Sequence, residues 1–362
     1  EQIGMPVEVS SFRLESGQSS LDFTVNEQAV VNVVSNYSLF GDSFDGIYRI
    51  KADSFKYEDI YFTKADLKGN FKGKDEDIYV DGEGRLLDGE IAYSLNVIDE
   101  VAQKVVLNVK EAELTEVLRL NGYPALAEGK IDVEINMPNI GEDGASGEGQ
   151  ILLRKATFNR DIVKEHYKYT LPEKSYVTGK IDTTLAGKSV QLHGDIKSNL
   201  FDLKITDGLI DTTSNDMHAA YSLDVKDMRI LTRNKTEGPF KIDGEIKREE
   251  KQTTMRGTSH SLGGALHLFI QDAIKVTFEK TSLERLLPFL KQPSYAKGEV
   301  SGTIELEGKD RESGKYDLRV EKGVLQPLAL QKLSAYHIPK DNQFALEVKG
   351  EILKKVLMGD VT

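Results

Sequence analysis

The chain has 362 residues, a formal net charge of −12, and no cysteine or tryptophan. That length suits two or three compact domains or one elongated one. The acidic balance argues against nucleic acid, whose binding needs a basic patch, and against adhesion along the whole length to an anionic membrane surface. The missing cysteines exclude disulfides and thiolate metal sites.

No run approaches the ~18 apolar residues of a transmembrane helix, and no signal peptide is visible. Glu1 is not a start methionine, and the chain stops at Val361-Thr362 just after a strand-like run. The expectation is a segment of a longer protein or a processed chain, with any membrane anchor outside it.

Period-two alternation runs from end to end and predicts half-buried antiparallel strands with one dry and one wet face. In chain order the dry positions include Leu21, Phe23 and Val25, then Ile91, Tyr93, Leu95 and Val97, then Val105, and then Met137. Within the same alternation, the candidate groove residues are Leu107, Val109, Ile131, Val133, Ile135, Val190, Leu192, Leu203, Ile205, Leu223, Val225, Leu266, Leu268, Ile270, Val276, Phe278, Ile304, Leu306, Leu318, Val320, Leu346 and Val348. Lys, Asp, Glu, Asn, Thr and Ser fill most of the positions between. Turn signals separate the runs at Asp81-Gly82-Glu83-Gly84, Asp88-Gly89, Asp207-Gly208, Ser313-Gly314 and Lys322-Gly323, and a polar glycine-rich loop is expected over Gly141 to Gly149. At ~5–6 residues per strand, on the order of 20–25 strands fit, making a sheet about 100 Å long that must curl or split.

Helix signals are few. Leu114, Val117 and Leu118 mark a helix over Glu113–Leu120. A second is expected over Thr281–Leu287, with Thr281 and Glu284 as a capping box and Leu283, Leu286 and Leu287 as its stripe. A third is expected over Val163 to Tyr169. Glycine-led strands begin near Gly129, Gly179, Gly238 and Gly298, spaced 50, 59 and 60 positions apart. They predict one elongated β-groove segment over 1–362, built by repetition.

The segments Leu114–Met137 and Leu283–Glu307 each contain a short leucine helix, a Tyr/Pro turn and a strand of the form Gly-x-[Ile/Val]-x-x-x-[Ile/Leu]. With the strands around Gly314–Leu325, they resemble the AsmA-like superfamily, of the TamB and YhdP type, which is related to the bridge-like lipid transfer proteins. The resemblance covers roughly residues 110–350. It implies a mainly β fold: a long, curved, repeat-built antiparallel sheet forming an open groove, with a few short helices. It also implies a place in the periplasm of a Gram-negative bacterium, an inner-membrane attachment outside this chain, and an apolar groove that carries phospholipid acyl chains between inner and outer membranes.

No constellation selects a reaction. The histidines His166, His193, His218, His260, His267 and His337 lack ligand spacing, and His267 alternates toward water. Asp75, Asp77, Asp81 and Glu83 fail as a calcium loop because Tyr79 and Leu86 occupy ligand positions, leaving a solvated acidic turn. Gly144-Ala145-Ser146-Gly147 lacks the nucleophile-elbow spacing, and Gly147-x-Gly149 lacks the third glycine of a dinucleotide loop. Nothing singles out a glycosidase pair among the many carboxylates. The chain is therefore expected to be no enzyme, with no cofactor, no metal and no nucleic-acid partner.

Apolar residues on one strand face are ordinarily core. A sheet this long, however, would expose far more than a few hundred Å² of apolar area unless that face were sheltered or used. The leading expectation is a lipid-shielding groove, with phospholipid acyl chains as ligand and inner- and outer-membrane envelope proteins as partners. The alternative is a non-enzymatic periplasmic scaffold on the same fold. A β-solenoid adhesin would need regular ~20–25-residue coils, which are absent from the sequence.

Overall fold

In a computed structural model, described for residues 7–361 except 16, 26–27, 38–42, 58–59, 100, 121, 141–143, 233–234, 251, 309–312, 331–338, 340 and 354–355, the chain is mainly β. The twenty-three strands among the described residues belong to one antiparallel sheet. The chain divides into two units, Glu1–Ile196 and Lys197–Thr362.

In the first unit, β1 (Val7–Glu15), β2 (Gln18–Val25), β3 (Ala29–Tyr37), β4 (Ser43–Tyr57), β5 (Ile60–Lys74), β6 (Asp77–Leu86), β7 (Gly89–Ile98) and β8 (Val101–Glu113) form a meander, each strand pairing with the next. Helix α1 (Leu114–Leu120) follows. Then β9 (Ala127–Glu128) and β10 (Lys130–Asn139) return the chain, β10 onto β8, and β11 (Ser146–Phe158) pairs with both. After α2 (Arg160–Tyr167), β12 (Tyr176–Ala186) pairs with β11, and β13 (Ser189–Ser198) ends the unit. Leu87 and Asp88 have φ of 55° and 58°, the conformation of a two-residue hairpin turn between β6 and β7.

The second unit contains β14 (Phe201–Asp211), β15 (Met217–Val225), β16 (Phe240–Glu249), β17 (Gln252–Ser259), β18 (Ala265–Ile270) and β19 (Ile274–Ser282). These are followed by α3 (Leu283–Phe289), β20 (Ala296–Glu307), β21 (Ser313–Leu325), α4 (Pro327–Leu330), β22 (Phe344–Leu353) and β23 (Val356–Val361). From β14 to β23 each strand pairs with its successor.

The two segments paired by sequence are copies at a constant offset of 169 residues (298 − 129). Glu111 and Lys280 both bulge with positive φ, 54° and 47°. Their amides donate to Asp132 Oδ1 at 2.8 Å and to Ser301 Oγ at 3.1 Å. Ala112 and Thr281 follow at 1% and 0% exposure. The helix ends match as well. Gly122 N donates to Arg119 O, as Lys291 N does to Pro288 O, and Tyr123 N donates to Leu118 O, as Gln292 N does to Leu287 O. A further motif occurs three times: the carbonyls of buried Leu87, Leu200 and Leu262 accept from the amides of Glu113, Lys226 and Ser282.

Several local expectations are corrected. The capping box at Thr281 does not form. Thr281 stays in β19, where its hydroxyl donates to Ala265 O, and Ser282 caps α3 without a side-chain bond. The third helix begins earlier than expected, at Arg160, because the side chain of Asn159 caps it. Gly82 and Gly84 lie inside β6, Gly147 and Gly149 inside β11, and Asp207-Gly208 and Lys322-Gly323 inside β14 and β21. The last two pairs are irregularities in register, with Asp207 and Lys322 at φ of 51° and 52°. Gly179 and Gly298 sit a few residues inside β12 and β20, whereas Gly129 and Gly238 precede β10 and β16. His337 and part of the expected loop at Gly141 fall outside the described residues.

The candidate apolar face

Directly opposed residues of neighbouring strands share a face, so the registers show whether the apolar positions join. In the first unit, Val9, Phe23, Val31, Ile50, Leu67, Gly84, Ile91, Val109, Val133, Ile151 and Ile181 oppose one another in turn across eleven strands. At ~4.8 Å per strand this row runs about 50 Å along the sheet. The next row, two residues along, is Phe12, Leu21, Val33, Tyr48, Gly69, Gly82, Tyr93, Leu107, Ile135, Gly149 and Thr183.

In the second unit, one row links Ile205, Tyr221, Gly244, Gly257, Leu268, Val276, Ile304, Tyr316, Gly350 and Gly359. Another joins Leu266, Phe278, Gly302, Leu318 and Val348. Ile270 and Leu306 both oppose Ile274, Leu203 opposes Leu223, and Val320 opposes Leu346. Val190 and Leu192 alternate with exposed Gln191 and His193, in phase with Ile196, which packs onto the first unit's core.

None of the twenty-two candidate groove residues is exposed. Val109, Ile131, Val225, Phe278 and Val320 are buried, and the rest are half-buried. Within the first unit, Leu107, Val109, Ile131 and Val133 belong to one cluster that Leu114, Val117 and Leu118 of α1 join. In the second unit, two clusters share Leu266 and Leu286, and Phe289 of α3 stacks against Phe240 at 5.6 Å between ring centres. Each of these two helices lies against part of the apolar face of its own unit.

The sequence reading missed how tyrosines and glycines share this face. Tyr48 and Tyr93 extend toward each other over Gly69 and Gly82, and the single hydroxyl hydrogen of Tyr48 is shared between Tyr93 Oη at 2.7 Å and Asp81 O at 3.1 Å. Tyr221 spans Gly244 to reach Gly257 and donates to Arg256 O at 3.1 Å, and Tyr316 spans Gly350 to reach Gly359. In each case the rings occupy the space that absent side chains leave. Burial raises the Tyr48, Tyr93 and Tyr221 phenols above the ordinary tyrosine value; the hydrogen bond to Tyr93 reinforces this for Tyr48 and the charge of Asp243 for Tyr221. The only sequence signal for this arrangement is a tyrosine and two glycines on successive strands, and it becomes visible once the register is known.

The opposite face is charged. Arg49 and Asp66, Lys68 and Glu83, and Arg154 and Asp132 pair across strands at 3.1, 3.1 and 2.8 Å. His267 faces this side, with its ring 3.0 Å from Thr258 Oγ1 and 3.4 Å from Glu279. Open depressions of about 660 and 770 Å³ in the first unit lie on this side; their linings include Arg49, Asn70 and Asp81 in one, Arg85, Glu90 and Lys110 in the other, and Lys68 and Glu83 in both. No group of three or more metal-ligating side chains forms among the described residues.

No protein-family model, curated protein or solved structure matches the chain.

Proposed function

We propose that the apolar face of this sheet shields the acyl chains of phospholipids as they move between inner and outer membranes of a Gram-negative envelope. In this reading the chain is a periplasmic, non-enzymatic protein of the AsmA-like kind, attached to the inner membrane by a segment outside it. The observation that carries the proposal is the unbroken row from Val9 to Ile181. Each buried CH₂ of an acyl chain contributes about 0.8 kcal/mol, and a row of chemically similar positions gives no strong preference for one stop along it. Headgroups would stay in water.

The test places photo-crosslinking residues at Val133 and Leu268 and looks for captured phospholipid, with native mass spectrometry of the purified chain as a second readout. The expected result is capture at Val133 that is lost on introducing Ile151→Asp, and capture at Leu268 that is lost on introducing Val276→Asp, each charge being in the same row as its crosslinker. Capture of protein alone, with no lipid, sinks the reading.

A second reading is a stiff scaffold for an envelope assembly. It is favoured by the tyrosines that fill part of the apolar face with the chain's own atoms and by the depressions on the charged face. Stoichiometric co-purification of a protein partner with no bound lipid would select it.

A further inference from the structure

We infer that α3 is a displaceable plug, seated on the apolar face of the second unit until an acyl chain takes its place. The inference rests on the lipid-shielding reading and adds to it how access to the face is controlled. Leu286 and Phe289 of α3 pack onto the buried cluster of Tyr221, Phe240, Ile242 and Leu262. Leu283 and Leu286 pack onto the cluster of Phe278, Val300 and Val320. Leu287 is 8% exposed. The candidate groove residues Leu223, Leu266, Val276 and Leu318 pack onto the same two clusters. Helix and acyl chain therefore compete for one apolar surface.

The helix is weak in itself. Its seven residues fall well short of the ~12–15 at which an isolated helix holds in water. Ser282 stands at its N-cap without a side-chain bond to the first turn. Pro288 lies inside the helix, exposed, and offers no N–H to the Glu284 carbonyl four residues back. That carbonyl takes the Ser294 hydroxyl instead, at 3.4 Å. At the constant offset of 169, α1 has Arg119 in place of this proline. The helical form of α3 thus depends on its apolar seat, and an acyl chain laid on the face supplies the contacts that the helix gives up. Lifting also breaks the bond from Glu237 N to Phe289 O and the exposed Glu284–Lys297 pair, both 2.9 Å, and water replaces both.

The probe is diheptanoylphosphatidylcholine, a phospholipid soluble as monomers, added to the intact chain below its micelle concentration. Native mass spectrometry counts bound lipid, and hydrogen exchange follows the amides from Leu287 to Gln292. On binding, these amides should exchange about tenfold faster or more, because the lifted helix is too short to persist, while those of β19 and β20 keep their rates. Pro288→Ala gives a second readout. It restores the missing donor at an exposed position and favours the seated helix, so lipid affinity should fall about tenfold or more without loss of the parent's unfolding midpoint. A helix that is only a structural cap would gain stability and leave lipid affinity unchanged. The inference is overturned if lipid binds while the α3 amides keep their protection, or if Pro288→Ala binds lipid as tightly as the parent. If no lipid binds, the lipid-shielding reading falls and the plug falls with it.

Discussion

The hydroxyls of Tyr48 and Tyr93 lie 2.7 Å apart although their backbones belong to β4 and β7, three strand spacings from each other. The contact is possible because Gly69 and Gly82, which directly oppose them on β5 and β6, put no side chain in between. Four strands are thus tied by one side-chain bridge on the apolar face. This is a stronger constraint on register than any single strand pair supplies, since a one-residue slip turns every side chain to the other face.

The bridge sets an order of stability losses. Tyr93→Phe leaves the Tyr48 bond to Asp81 O intact and is expected to cost about 0.5–1 kcal/mol. Tyr48→Phe removes both bonds and should cost about 1–2 kcal/mol. Gly82→Ala drives a methyl into both rings and should cost about 2 kcal/mol or more. Urea unfolding of the three variants checks the ranking, and an equal loss for all three would contradict the bridge.

Alkaline titration gives a second test. The phenols of Tyr48, Tyr93 and Tyr221 are raised in the fold, first of all by burial. A raised folded value means that the unfolded chain ionises first. The stability tied to these groups is complete below the ordinary tyrosine value of about 10 and is lost as pH climbs beyond it. Ultraviolet titration of the native chain should show fewer ionising tyrosines near pH ~10 than the chain in denaturant, and Tyr48→Phe should narrow the gap.

The bulge acceptors should be separable. Asp132 takes the Glu111 amide and pairs with Arg154. Burial alone would raise its carboxyl, but these partners outweigh burial and hold it below the usual value. Its contribution is therefore present above the ordinary carboxylate range and is lost as pH falls through the lowered value. Asp132→Ala should cost about 1–2 kcal/mol at neutral pH, with the difference from the parent shrinking in acid. Ser301→Ala at the equivalent position should cost about 1 kcal/mol, with little pH dependence between ~3 and ~7. Acid unfolding curves of the two variants check this.

At the start of α3, Thr281 and Glu284 should behave unlike a capping box. Thr281 is fully buried and bonded to Ala265 O, so Thr281→Val should cost about 1 kcal/mol or more. Glu284 makes an exposed pair with Lys297 at 2.9 Å, so Glu284→Ala should change stability by less than about 0.5 kcal/mol. Thermal unfolding of the two variants decides, and comparable losses would restore the box.

A charge on the apolar row should act quite differently from one on the wet face. Val133 is half-buried between Val109 and Ile151, and Val133→Asp should cost about 2–4 kcal/mol. Neighbouring Glu134 is exposed, and Glu134→Ala should fall within about ±0.5 kcal/mol. Denaturant midpoints give the comparison. A mild loss at Val133 would mean that its side of the sheet is open to water.

Alternation along single strands was enough to read the fold class and the dry face, because Ile131, Val133 and Ile135 depend only on the period of a pleated strand. The leucine helices were legible for the same local reason. Glycine was misread because it has two uses. A hairpin turn does fall at Asp88, but with Leu87 as its other residue while Gly89 opens β7, and Gly82 and Gly84 sit mid-strand, one beneath a tyrosine and one completing an apolar row. Nothing within ten residues of Gly82 distinguishes these uses; the deciding partners are Tyr48 and Gly69 on other strands. Thr281 was likewise assigned by its neighbour Glu284, when its true partner, Ala265, lies on β18. What stayed hidden was register, which links residues far apart in sequence.

The constant offset between Glu111 and Lys280, and between Asp132 and Ser301, bears on how such a chain can change length. Successive strands run antiparallel through the ladder, so a hairpin can be added or removed while every remaining strand keeps its direction and its inward side. A single strand cannot, because it would reverse everything that follows. Growth in such an architecture is therefore counted in pairs, and heritable variation in its reach should come in even steps.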